Sequence, residues 1–378
     1  MRPLRPIFFG SFFFSFHFAL LSYLNSTAIA QHASPIQTTL IYTASSTLSL
    51  ILIVIAPRIV RRIGASAFLI CALTISAILL WILGTQTEHG GFLTAFVLYF
   101  SLNTVVWYAF DLVIEHYSRE QVTGNIRGVY LTINNTAWVL APITASTIAL
   151  YAGFSGTYAI ASVCVLISLL VIRVTPRIEL HHHVPKISLF EAFKALTAHA
   201  QARRIVTLYF VIQFFFAWMV LYMAPYLLHS GFSWSTIGWI FGAMLLPFVL
   251  FQYMAGKIAD RFHAERTLII VGFGIAALST CALAFPLPPI ALVFAGTLFM
   301  TRVGASIIEV GCESAFFKEV SEKDTALIGT LRMAVPLAFI IAPLLGALVF
   351  SFGSTQLLYG ILAGILFIAM LYAFRLKK

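Results

Sequence analysis

The chain has 378 residues, of which 61% are hydrophobic, 15% aromatic and only 10% charged, and it carries a formal net charge of +10. That composition excludes a soluble globular domain and assigns the chain to the polytopic membrane proteins. The surplus Lys and Arg are scattered over short polar segments between apolar runs, a pattern that serves orientation in a membrane and excludes a nucleic-acid-binding face.

A bilayer core takes about 20 apolar residues per helix. By that measure the first half offers six spans, at about 7–30, 36–56, 67–84, 92–114, 127–150 and 155–175. The second half offers six more, at about 205–229, 234–255, 267–285, 290–315, 327–351 and 355–375. Strand-like alternation is absent, and an open backbone in lipid would leave its polar groups unsatisfied, so the spans are expected to be helices. The first span runs past the length of a signal-peptide core with no small-residue cleavage site after it, and is expected to be retained.

With these spans Arg58, Arg61, Arg62, Arg119, Arg127, Arg173, Lys257, Arg261, Arg266 and Lys318 fall on one side. The opposite loops QHASP, TQTEHGG and FPLPP hold no Lys or Arg. Both termini are therefore expected in the cytoplasm, with the protein in the plasma (inner) membrane. Residues 176–204 form the one long connector, giving bundles at 1–175 and 205–378. Within it Ser188 and Glu191 make a capping-box pattern ahead of Leu189, Phe193, Leu196 and Ala200 on one face, so an amphipathic linker helix is expected. The run His181–His183 lacks acidic or Cys partners and reads as a solvated patch rather than a metal site. Cys71, Cys164, Cys281 and Cys312 all lie in apolar runs without metal-ligand spacing, and no disulfide is expected.

The halves repeat. GKIADRFHAER (Gly256 to Arg266) and APRIVRRIGAS (Ala56 to Ser66) each join the second and third spans of their half, and Arg62 aligns with Arg261 at an offset of 199. IRGVYLTINNTAWVLAP (Ile126 to Pro142) aligns likewise with LIGTLRMAVPLAFIIAP (Leu327 to Pro343), which puts a proline deep in both fifth spans, where it frees a carbonyl and permits bending. Gly256 suits close helix approach, Asp260 can accept hydrogen bonds at a helix end, and Arg261 and Arg266 place fixed positive charge at the membrane surface.

The pattern of Gly256, Asp260, Arg261 and Arg266 between spans two and three of a six-span half resembles the loop signature of the major facilitator superfamily of secondary transporters. In the first half Arg61 stands in the aspartate's place. Glu120, Arg127 and Gly128 are similar to the ion-pair element that follows the fourth span in that superfamily's sugar porters. The resemblance implies an all-α membrane protein of twelve helices in two pseudo-symmetric six-helix bundles. It also implies alternating access and a central site drawn from the first, fourth, seventh and tenth spans.

Charged and polar groups inside spans are costly and mark candidate function. Asp111 and Glu115 lie four apart in the fourth span, and Glu309 and Glu313 repeat that spacing in the tenth. One reading makes these acids cytoplasmic latches, with Asp111 or Glu115 accepting from Arg61, Arg62 or Arg127, and Glu309 or Glu313 from Arg261, Arg266 or Arg332. The other gives them proton carriage, for which Glu309 is the candidate because it shares a helix face with Arg302. Arg302 is open to two uses, binding an anionic substrate group or pairing with Glu309. His17, Asn25, Asn103, Trp107, Asn134, Asn135, Gln213 and Gln252 complete the polar set at mid-depth. Of these the resemblance favours Asn25, Asn103 and Gln213, together with Arg302.

P-loop, HExxH, GxSxG and dinucleotide-binding patterns are all absent, so neither catalysis nor a cofactor is expected, and transport would draw on a gradient. The expected partners are a small-molecule substrate, protons and the bilayer, with the chain acting as a monomer. The competing class is a membrane receptor or scaffold that keeps the fold without transporting.

Overall fold

The structure is a computed structural model that describes residues 4–86, 88–117, 123–174, 189–320, 325–352 and 355–377. Every regular element among them is a helix: α1 (Leu4–Ser22), α2 (Asn25–Ala30), α3 (Pro35–Ile63), α4 (Ala65–Thr85), α5 (His89–Tyr117), α6 (Thr123–Arg173), α7 (Leu189–Ala198), α8 (Ala200–His229), α9 (Trp234–Phe262), α10 (Glu265–Ala282), α11 (Ala291–Glu319), α12 (Thr325–Phe352) and α13 (Thr355–Ala373). Eleven of them are long and apolar enough to cross a membrane. The chain divides into two compact units, Met1–Lys186 and Ile187–Lys378.

In the first unit, α1 and α2 together make the first span, broken at Tyr23–Leu24. Helix α3 starts on a complete capping box. The Ser34 hydroxyl accepts from the Gln37 N–H at 3.3 Å, the Gln37 amide oxygen accepts from the Ser34 N–H at 2.8 Å, and Pro35 opens the helix. Element α6 holds two helices, the fifth and sixth spans, joined across a kink. Its apolar stretch of 42 residues would be about 63 Å long if straight, twice a bilayer core. It is not straight, because Gly153 leaves the helical region at φ 65, ψ −170. The fold-back is visible on α1, where Ser15 donates to the Asn134 carbonyl (3.2 Å) while Gly10, little more than one turn away, lies against Ile172 and the Ser168 carbonyl. In a straight helix residues 134 and 168 would be about 50 Å apart.

In the second unit α8 packs on α11 and α12, α11 on α9 and α10, and α10 on α13. The same partnerships join the equivalent spans of the first unit: α1 on α6, α5 on α3 and α4, and α4 on α6. The repeat extends to a positive φ at equivalent turns. Gly64, between α3 and α4, has φ 83 and ψ 157, and His263, between α9 and α10 at the same offset of 199, has φ 47 and ψ 45. Gly64 takes an extended conformation that favours glycine, whereas His263 sits in the left-handed helical region, which few other residues adopt.

Among the described glycines, the closest approach to a neighbouring backbone is between α10 and α11. A Cβ on Gly304 would fall 2.5 Å from the Gly272 carbonyl oxygen and 2.6 Å from the Ala276 nitrogen, and one on Gly272 would fall 2.9 Å from the Gly304 carbonyl oxygen. The two backbones touch because the contact residues are small. At Gly256, where the sequence suggested close approach, an added Cβ would meet only Val310 at 3.8 Å, an ordinary contact. Helix α7 packs on α12 and α8 with Phe193 exposed, while the capping pattern at Ser188 and the histidine run lie outside the described residues.

Candidate functional site

In the first unit one face of α1 turns His17 toward α5. The ring is fully buried, 4.6 Å from Phe14 and 6.1 Å from Tyr99 between centroids, and Phe14 in turn packs on Trp107 at 5.1 Å. Asn103, one turn beyond Tyr99, donates from Nδ2 to the Tyr99 carbonyl at 3.0 Å. His17, Tyr99 and Asn103 are all buried, and the Asn103 side chain lies against both the His17 ring and the Tyr99 hydroxyl, so the three make one polar cluster inside the apolar unit. Buried polar groups of this kind are held by their mutual hydrogen bonds. Asn134 Oδ1 is buried with no hydrogen-bond partner among the described residues. Asn25 is engaged differently, its Oδ1 accepting from the Tyr158 hydroxyl at 2.9 Å across to α6. Tyr99 and Tyr158 were not singled out from the sequence, and the signal for Tyr99 was its place one turn before Asn103.

The second unit builds a charged counterpart. Arg302 on α11 is 1% exposed, its guanidinium lying 4.9 Å from the Phe215 ring centroid and 5.5 Å from that of Phe216, both on α8. Such cation–π contacts, made away from water, hold a planar cation in place. About 10 Å along the same helix stands Glu309, half-buried, whose Oε2 accepts from Gln252 Nε2 on α9 at 2.9 Å. Glu313 is half-buried one turn further, and Tyr209 is buried on α8, which packs on α11. Gln213, one turn after Tyr209, is 7% exposed. Three helices thus converge on an acid–amide pair beside a buried cation.

The model of the Major Facilitator Superfamily matches residues 7–308 and 206–378. The chain belongs to the major facilitator superfamily. Two solved structures resemble it along their whole length. The human organic anion transporter MFSD10 (TETRAN) is 16% identical with a TM-score of 0.71, covering 98% of this chain and 99% of its own. A mutant of the nucleoside transporter NupG is 14% identical with a TM-score of 0.76, and both chains are covered completely. No curated protein matches the chain in sequence.

The superfamily loop signature takes specific partners here. Arg266 donates from Nη2 to the Phe374 carbonyl beyond the end of α13 (2.8 Å), and Arg261 is exposed above the Phe262 ring. Glu265, a residue the sequence reading passed over, pairs with Lys318 at the end of α11. Its legible signal was an acid in the first turn of a helix, where the macrodipole favours it. Arg61 and Arg62 lie in the last turn of α3, the favourable end for cations. Asp111 and Arg332 are half-buried, whereas the side chains of Glu115, Arg127 and Asp260, along with Glu120, lie outside the described residues.

The loops without Lys or Arg hold one further contact. His32, after α2, meets His89, the first residue of α5, Nδ1 to Nδ1 at 2.9 Å, and stacks on Phe92 at 4.3 Å. Partial burial, then the neighbouring His89, lower the His32 pKa below its ordinary 6.5. The folded state therefore prefers neutral His32. The stability this contact contributes is present above about pH 6.5 and is lost as the pH falls through the lowered value. In His89→Ala the His32 titration followed by NMR should move back up toward 6.5, and an unchanged titration would count against the pairing.

Proposed function

We propose that the protein is a secondary active transporter that carries a small polar organic solute by alternating access and couples it to protons through Glu309. The observation that carries the reading is the Glu309–Gln252 pair, a half-buried carboxylate inside a spanning helix whose face also carries the buried Arg302. An acid in that setting changes its proton occupancy when its hydrogen-bond partner or solvation changes, which is what coupling requires. The neutral cluster of His17, Tyr99 and Asn103 suits hydroxyl or amide groups of the solute, and Arg302 suits an anionic or strongly polar one. Both similar structures carry small organic molecules, an organic anion in one and a nucleoside in the other. The distribution of Lys and Arg supports cytoplasmic termini in a plasma (inner) membrane, with residues 176–204 as a linker between bundles 1–175 and 205–378.

The test begins with a thermal-shift screen of solutes on the purified protein, since a bound ligand raises the melting temperature. The hit is then followed in proteoliposomes. The wild type should accumulate solute down a proton gradient and lose accumulation with a protonophore. Glu309→Gln should exchange labelled for unlabelled solute at near wild-type rate yet accumulate none. Protonophore-sensitive accumulation in Glu309→Gln would remove Glu309 from the coupling role, and binding without any exchange in the wild type would remove transport itself.

A further inference from the structure

One rim of the second unit gathers cations in a way the transport reading does not use. Arg204, near the start of α8, donates from Nη1 to the Arg375 carbonyl at 2.7 Å, and Arg266, near the start of α10, donates to the adjacent Phe374 carbonyl at 2.8 Å. The Lys377 N–H donates to Gln201 Oε1 at 3.4 Å, and the Lys377 ammonium reaches Glu319 Oε1 at 3.6 Å. These contacts draw the charges of Arg204, Arg266, Arg375 and Lys377 onto residues 374–377, and Glu319 is the carboxylate paired with them among the described residues. Capping of the carbonyls beyond α13 explains one N–H from each of two arginines. It accounts for one of the five N–H donors on each guanidinium. The buried Arg266 Nε has no hydrogen-bond partner among the described residues. The Arg375 guanidinium rests on the Tyr372 ring face, 5.6 Å from its centroid. Beside the cluster, Leu371 and Phe374 are 51% and 52% exposed, apolar surface that in a spanning protein faces acyl chains.

We propose that this rim binds the headgroup phosphate of an anionic phospholipid from the adjoining leaflet, with the acyl chains lying along Leu371 and Phe374. Like charges crowded at a membrane surface repel one another, and a phosphodiester offers the missing anion in a form that forked guanidinium donors match. A soluble anion would satisfy the charge but not the apolar surface beside it.

The purified full chain in detergent is titrated with short-chain phosphatidylglycerol, short-chain phosphatidylcholine or inorganic phosphate, and the melting temperature is followed. Phosphatidylglycerol is expected to raise it saturably while the other two do not. Arg375→Gln should raise the half-saturating concentration about fivefold, and Arg375→Gln with Lys377→Gln roughly twentyfold. These side chains hold a ring face and one surface carboxylate, so the fold should persist. The charge-matched control Arg58→Gln with Arg173→Gln, exposed cations of the other unit, should bind as the wild type does. An equal rise with phosphatidylcholine, a rise with phosphate alone, or an equal loss in the control would each overturn the proposal.

Discussion

Gly304→Ala should lower the melting temperature of the detergent-solubilised protein sharply, and Gly304→Leu should prevent its recovery as a folded protein. The added methyl would stand 2.5 Å from the Gly272 carbonyl oxygen and 2.6 Å from the Ala276 nitrogen, and both are backbone atoms that cannot swing aside. Helices α10 and α11 would have to separate, at a cost of about 1–3 kcal/mol for the smaller substitution and more for the larger. Gly296, two turns earlier on α11, supplies the control, because a Cβ there meets nothing within 4 Å. Gly296→Ala should melt at or slightly above the wild-type temperature. If the two alanine variants melt alike, the backbone contact between α10 and α11 is not what holds this unit together.

Arg302→Met should cut solute flux by about tenfold to a hundredfold, the worth of a hydrogen bond from a charged donor, while leaving the protein folded. Methionine fills much of the same volume between α11 and the Phe215–Phe216 pair. Removing the cation also removes the cost of holding a charge away from water beside the two rings. Arg302→Lys separates charge from shape: it keeps the cation but loses the planar face that lies over both rings, and should fall between wild type and Arg302→Met. Paired measurements of melting temperature and initial uptake rate decide the matter. Normal flux in Arg302→Met would make the arginine a packing residue.

The sequence made some of this legible and hid the rest for physical reasons. Apolar run length places the spans because lipid demands a fixed thickness of apolar residues. The fifth and sixth spans were read apart on that ground, and the helix does break between them at Gly153. The break in the first span at Tyr23–Leu24 has neither proline nor glycine to announce it. Gly256 stood out because a motif frames it, whereas the closest helix approach belongs to Gly272 and Gly304, unremarkable glycines in apolar runs that only pairing in space distinguishes. Arg302 and Glu309 were conspicuous as charges at depth. Their neighbours Phe215, Phe216 and Gln252 lie on other helices, and with 35 phenylalanines in the chain no aromatic pair could be singled out. Tyr158 as the partner of Asn25 is likewise a tertiary fact, 133 positions away.

The glycine seam also limits how the second unit can deform. With backbones in contact at Gly272 and Gly304, and with Glu265 joined to Lys318 at one end, sliding α10 past α11 would drive side chains into the glycine contact, so the pair is expected to move as a single slab. Arg302 and Glu309 ride on that slab, so any displacement of the buried charges must be a tilt of the whole plate rather than shear of one rod along its neighbour.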